Sequence, residues 1–493
     1  VENLNLLVDY EAKSVARTGT GSSSVQLSLV SVATNVAVAK TNVAAGVGLT
    51  GGNTYDVYKN GDAYLYQPAG GGAWYTLLGN QMTPYAGTDD TSLYTRTGTT
   101  IRTGGTIHFT GANASRTVVA TGNVYALAEE VAPLVNLGAI SVAASVIVAE
   151  LNSVQRAFVE NLTIKLPNAG GTFTVKSILN MDDGELNTYS HAGKGGARAT
   201  VGASDASVSL ASVEVSSATA KANAACIAYI AGTVIDKGNV KVLSQGASVA
   251  DASVGSGSSV QFIGVGVAHV GAEAAGVFSA FIDTDVRDSA GNALSSVEMT
   301  PNDVSVSVFY YAAARAGVGS PSGGVTVDAS ALSAQVNVAH SNVTTRAAAA
   351  IIGSGSIGSA SSPAGEITVQ ARGYTLALAN VTASAISFSG VKIAANVLTA
   401  TLNALQEAYI QDATIFAGKA TILSILNDDQ SYRIDTGTLD LTKTAGTGKL
   451  FGGAYAIHGG NGLSATLVSL QANAASATSS ARCRAYTDSA AMS

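Results

Sequence analysis

The sequence is short of charge, aromatic side chains, proline and cysteine. Asp, Glu, Lys and Arg make up 12% of the 493 residues and aromatics 6%, with 7 prolines, 5 histidines and 2 cysteines. Ordinary soluble domains carry about twice that charge. The 26 Lys and Arg are scattered singly and the net charge is −7. That leaves no basic stripe to neutralise a phosphate backbone, so no nucleic-acid partner is expected. Two cysteines neither demand an oxidising compartment nor rule one out. Apolar stretches such as Val25–Ala39 are broken by Ser, Thr and Asn and stop short of the ~18 uninterrupted residues of a membrane span. Val1 follows no initiator Met or leader and Ser493 carries no sorting motif, which reads as a processed product or an excised segment.

What fills the chain is small. Apolar residues make up 47% and glycine 54 positions, and the mean hydropathy of +0.28 is too high for disorder. The interior is therefore expected to be lined by small side chains.

The chain also repeats itself. AISVAASVIVAELNSVQRAFVENLTI (Ala139–Ile164) returns as GVKIAANVLTATLNALQEAYIQDATI (Gly390–Ile415), pairing Gln155 with Gln406 at 406 − 155 = 251. VKSILNMDD (Val175–Asp183) matches ILSILNDD (Ile422–Asp429), ACIAY (Ala225–Tyr229) matches RCRAY (Arg482–Tyr486), and SSVQLSLVSVA (Ser23–Ala33) matches SSVQFIGVGVA (Ser258–Ala268). Four collinear matches indicate two tandem modules of about 250 residues, 1–236 and 237–493, with a boundary near Asp236–Gly238. Within them, runs such as VQLSLVSVA, VSVSVFYYA and ATILSIL alternate with period two and are punctuated by Gly, Asn, Asp and Ser, the pattern of strands. The Ala-rich runs Ala218–Ala225 and Ala472–Ala481 favour helix by propensity but are interrupted by Ser, Thr and Asn, and read as strands. Strands throughout with a small-residue core predict an all-β, elongated parallel β-solenoid. A rung of ~25–30 residues at the ~4.8 Å strand spacing would make each module a rod of roughly 40–50 Å.

The segments VAASVIVAELNSVQRAFVENLTI (Val142–Ile164) and IAANVLTATLNALQEAYIQDATI (Ile393–Ile415) resemble giant bacterial filamentous adhesins, the leukotoxin-type and filamentous-hemagglutinin-like families. YDVYKNGDAYLYQPAGGGAWYTLLGN (Tyr55–Asn80) is similar to small Tyr-rich hairpin insertions in those proteins. The resemblance implies a right-handed β-helix, secretion, an extracellular or cell-surface location, and adhesion to a host or neighbouring-cell surface protein or glycan. It carries no catalytic signature.

Candidate chemistry is sparse. The aromatic cluster within about 52–97 holds Tyr58, Tyr64, Tyr66, Trp74 and Tyr75, and Lys59-Asn60-Gly61-Asp62 is a type I′ hairpin signal. A projecting β insertion is expected there, whose rings either bind a partner or pack its miniature core. The acidic corners Asp182–Asp183 and Asp428–Asp429 follow Asn180 and Asn427 in matching places. Such oxygens suit calcium, although turn chemistry explains them as well; no other cofactor is expected. Cys226 and Cys483 stand one module apart, too far for a disulfide, and read as buried thiols. The doublets Glu129–Glu130 and Asp89–Asp90 read as solvated loops, and the dispersed histidines as ordinary strand or turn residues. The sequence thus points to a non-enzymatic, extracellular stalk segment of an adhesin. Its rivals are a filament subunit that associates end to end and, further off, a carbohydrate-active β-helix enzyme.

Overall fold

In a computed structural model the chain is described except at residues 1, 19–23, 52, 61–62, 69–73, 79–80, 85–90, 103–104, 111–115, 131–133, 168–170, 182–194, 203–205, 256–257, 288–291, 320–325, 383–384, 428–451, 460–462 and 493. Its strands form an all-β parallel solenoid of seven described rungs. Each rung contributes one strand to sheet A, one to sheet B and a short third strand. Sheet A runs through Leu4–Thr18, Arg116–Glu130, Thr172–Leu179 with Gly196–Val201, Asn239–Val254, Asp303–Val318, Ala364–Thr382, and Ala417–Leu426 with Gly453–Gly459. Sheet B runs through Ser24–Leu27 with Val30–Thr50, Leu134–Glu160, Ala206–Ala231, Ser258–Asp283, Thr326–Ile352, Ala385–Gln411 and Leu463–Asp488. The expected strand assignment of both Ala-rich runs holds, for they lie in the third and seventh strands of sheet B. The Thr-Ile pairs at Thr163–Ile164 and Thr414–Ile415 lie in the short third strands.

The rungs are larger than the sequence pattern suggests. From Asp303 to Ala364, the starts of successive sheet-A strands, is 364 − 303 = 61 residues, about twice the expected rung. Alternation marks a strand but not where the chain turns back, so short runs look like separate rungs when they are parts of one long strand. Seven rungs at ~4.8 Å stack to only about 34 Å, whereas a 26-residue strand at ~3.3 Å per residue runs to about 85 Å. The long dimension lies along the strands, not along the stack as the rod estimate assumed. A compact monomer of this mass would expose about 17,000 Å²; this one exposes 21164 Å². Asp236–Gly238 is the turn from the third rung to the fourth, and both large sheets continue across it.

The sequence matches acquire a physical meaning as stacked columns. On the inner face of sheet A, Tyr10, Gly122, Leu179, Gly246, Tyr310, Gly373 and Leu426 lie in register. A column on sheet B reads Ala45, Gln155, Cys226, Phe278, Ala347, Gln406 and Cys483. Both columns repeat every four rungs. Each glycine makes room for a large neighbour: a Cβ on Gly122 would meet Gln155 Oε1 at 2.4 Å, on Gly246 a Phe278 ring carbon at 2.6 Å, and on Gly373 Gln406 Oε1 at 2.7 Å. Volume is thus shared between facing columns to keep the narrow interior filled. The buried amides of Gln155 and Gln406 do the same work, donating to Ala120 O at 2.7 Å and Ala371 O at 2.9 Å. The Gln155–Gln406 and Cys226–Cys483 matches each span four rungs. The match of Ser23–Ala33 to Ser258–Ala268 joins rungs three apart and falls outside that period.

Two rungs interrupt sheet A at the same place. Asn180 and Asn427 have φ of 57° and 58°, which turns each backbone carbonyl out of the ladder. The side chain replaces it: Asn180 Oδ1 accepts from Val124 N at 2.7 Å and Asn427 Oδ1 from Thr375 N at 2.7 Å. Pairing then resumes without a lost position, Gly196 opposite Tyr125 and Gly453 opposite Leu376. The returning Gly195 and Gly452 approach so closely that a Cβ would lie 2.3 Å and 2.1 Å from the Asn side chains.

Candidate functional site

The aromatic insertion is a five-stranded antiparallel sheet leaving the first rung between sheet B and its short third strand. Asn53–Asn60 and Ala63–Pro68 form the expected hairpin, Asn60 pairing with Ala63, and Thr95–Arg102 closes the other side. Strand alternation divides the predicted aromatics between two faces. Tyr58 and Trp74 meet edge to face at 4.7 Å, on the side that also buries Leu65. Tyr66 and Tyr75 are cross-strand partners on the other side, with Tyr64 and Lys59 paired beside them. Lys59 Nζ lies 5.0 Å from the Tyr64 ring centroid. Tyr66 is buried, Tyr58, Trp74 and Tyr75 are half-buried, and Tyr64 is 44% exposed. The five rings therefore do not form one surface, and Tyr64 is the most exposed of them. At its margin Asp56 accepts from Arg96 at 2.7 Å, holding the guanidinium above its ordinary pKa.

Asp182, Asp183, Asp428 and Asp429 lie outside the described residues, as do Asp89 and Asp90. The amide oxygens of the neighbouring Asn180 and Asn427 are spent on backbone N–H groups, as described above. Among the described residues no group of three or more His, Cys, Asp or Glu is placed to hold a metal ion.

Glu130 is not in a solvated loop. It ends a sheet-A strand, is buried, and accepts from Asn35 Nδ2 and Ser145 Oγ, while Glu129 pairs with Arg17. The sequence also hid a carboxylate pair at the end of the fourth sheet-B strand. Buried Asp283 and Asp285 share Arg287, at 2.5 Å and 3.1 Å, and Asp285 Oδ1 accepts from Ser354 N and Oγ, both at 2.8 Å. The charge-assisted bond to Asp283 raises the Arg287 pKa. With its oxygens committed to Arg287 and backbone, this cluster locks a corner. Cys226 is buried as expected, and burial pushes its thiol pKa up. Cys483 is exposed instead, because the seventh rung has no described rung stacked on it.

The outer face of sheet B is laid out in columns across the rungs. Several of its columns keep one chemistry over part or all of the stack. One reads Val32, Val142, Val213, Val265, Ala334, Ile393 and Leu470. With the columns beginning at Val30, Thr34 and Val36 it makes a four-column field over seven rungs, in which every side chain is Val, Ile, Leu or Ala except Thr34, Ser217 and His269. The second column beyond it carries charge in its first four rungs, with Lys40–Glu150 at 2.7 Å and Lys221–Glu273 at 3.1 Å, and continues as Asn342, Thr401 and Thr478. Next is an amide column, Asn223 donating to Asn152 at 2.7 Å and Asn152 to Asn42 at 2.8 Å. Further along, Phe158, Tyr229 and Phe281 stack at 5.5 Å and 4.9 Å, and Tyr409 on Tyr486 at 5.1 Å. Burial, then the bond it donates to Glu160 at 2.6 Å, raises the Tyr229 pKa. The sequence carried these rings in its repeated Ala-[Phe/Tyr]-[Val/Ile] segments, but only stacking turns them into a ladder.

The fold defines the class, an all-β parallel β-solenoid. No family model, curated protein or solved structure matches the chain.

Proposed function

We propose that this chain is a non-enzymatic, extracellular segment of a giant filamentous surface adhesin, a stiff repeat scaffold that holds a small recognition element away from the cell. The observation that carries the reading is the insertion, a separate antiparallel sheet set on a continuous parallel stack, with Tyr64 exposed beside Lys59. Aromatic and cationic side chains together suit a sugar ring or a protein surface. The test is binding of the purified chain to arrayed host-surface glycoproteins and glycans. Specific capture that falls at least tenfold in Tyr64→Ala supports the reading; capture indifferent to Tyr64→Ala and to removal of the insertion overturns it. Release of reducing or unsaturated sugars from a polysaccharide panel would move the reading to an enzyme.

One observation favours a second reading, a subunit that stacks end to end. Among the described residues the strand Leu463–Asp488 pairs only with Ala385–Gln411, and its other edge is open. From Ala465 to Asp488 all its side chains except Thr466 and Tyr486 are exposed on both faces. Open edges of this length template further pairing. Electron microscopy at rising concentration separates the two readings, since fibres growing along the stacking axis belong to the subunit alone.

A further inference from the structure

We infer that the apolar field on the outer face of sheet B is a docking surface for a second copy of this chain, packed sheet on sheet. Four columns at ~6.6 Å by seven rungs at ~4.8 Å cover about 900 Å², of which the six rungs that oppose each other in the pairing below cover about 760 Å². Monomeric proteins rarely expose apolar patches beyond about 300–600 Å², and stable interfaces take about 600–1,000 Å² from each partner. Exposure runs from 42% at Val213 and 38% at Val265 in the central rungs to 63% at Val32 and 64% at Leu470 in the end rungs. Uncharged β-branched residues on a regular sheet present the relief that another sheet packs against at ~10 Å.

The relief is also self-complementary. Within the ladder between neighbouring rungs of sheet B, from the second rung to the seventh, one residue in each rung drops out between paired positions. In the third and fourth rungs it is Leu210 and Phe262, 67% and 62% exposed; in the fifth and sixth it is Ala331 and Gly390; in the seventh it is Leu467, 90% exposed. Gly138, Ala139, Leu210 and Phe262 help line a hollow of about 500 Å³. A two-fold axis lying in the face along the strands, between the fourth and fifth rungs, keeps each column over itself and reverses the rung order. It sets Leu210 against Gly390 and Phe262 against Ala331, and aims Leu467 at Ala139 in the hollow. Large meets small at all three places. The same operation places no like charges opposite each other in the column beginning at Lys40, the second beyond the field, since Lys221 meets Thr401 and Glu273 meets Asn342. Such a contact is isologous and closes at a dimer, unlike stacking through the open strand.

The test is light scattering on the 493-residue chain from 1 to 100 µM, with Val213→Lys/Val265→Lys and the shape-preserving Val213→Thr/Val265→Thr. A dimer that becomes monomeric in the lysine variant, with the dissociation constant raised at least tenfold in the threonine variant, supports the inference. A monomer throughout the range overturns it. Dimers or longer assemblies unaffected by the threonine variant also overturn it, placing self-contact elsewhere. Far-ultraviolet circular dichroism establishes that each variant is folded, and the threonine pair, which keeps β-branching, carries the test if lysine disrupts the sheet.

Discussion

Facing columns that share volume should behave as one unit when mutated. The sharpest case is Gly246 and Phe278, where a Cβ on Gly246 would lie 2.6 Å from the ring and 3.0 Å from Cys226 Cβ. Phe278→Ala removes a fully buried ring that also stacks on Tyr310 at 5.0 Å, at a cost of about 3–5 kcal/mol. Gly246→Ala alone overpacks the site by about 1–3 kcal/mol, offset by about 0.4–1 kcal/mol from a less flexible unfolded chain. In the Phe278→Ala background the same methyl enters a cavity. There it gains about 0.8 kcal/mol of burial as well as the unfolded-state term, so the substitution changes sign and stabilises. The unfolded-state term cancels between the backgrounds, so the coupling energy is about 2–4 kcal/mol. Solenoids open in parts, so urea titration should be joined to hydrogen exchange at the Val242 and Ala280 amides. Equal effects of Gly246→Ala in both backgrounds would refute volume sharing between the columns.

Other expectations follow from single sites. Asn180→Ala should cost about 2–4 kcal/mol, by orphaning the Val124 N–H and placing alanine at φ 57°, whereas Asn180→Gly should recover the conformational part; Val124 exchange reads both. At pH 8 a thiol reagent should label Cys483 rapidly and Cys226 only on unfolding, with mass spectrometry counting the adducts. Burial raises Tyr10 to about 12 and lifts Tyr310, Tyr374 and Cys226 as well. These groups stay neutral in the fold but ionise in the unfolded chain near 10 and 9. Their contribution is therefore intact below about pH 9 and lost as pH climbs beyond it, so the urea midpoint should hold to pH 9 and then fall.

The class of fold was legible because period-two alternation over small residues admits few architectures. Rung size was not, since an alternating run gives no sign of where a long strand bends or which distant strand it meets. Val142 and Val213 look like core residues in sequence, yet they face outward while Ser141 and Ser212 are buried. Parity alone fixes which residues share a face, not which face is inside. Asn180 and Asn427 were visible as a matched pair, but a turn, an ion corner and a ladder repair share one sequence signature. The insertion's aromatics were found by composition. Their division between two faces needed the strand pairing.

The repair at Asn180 and Asn427 has a consequence for how such a surface diversifies. Because the side-chain oxygen closes the gap in the ladder, the bond pattern on both sides of the junction is intact although the number of residues between Asn and the returning Gly differs. Here 14 residues separate Asn180 from Gly195 and 24 separate Asn427 from Gly452. A lineage can lengthen, shorten or replace what is carried at such a junction while leaving the rungs on either side undisturbed. The same junction is a natural port for grafting a foreign loop.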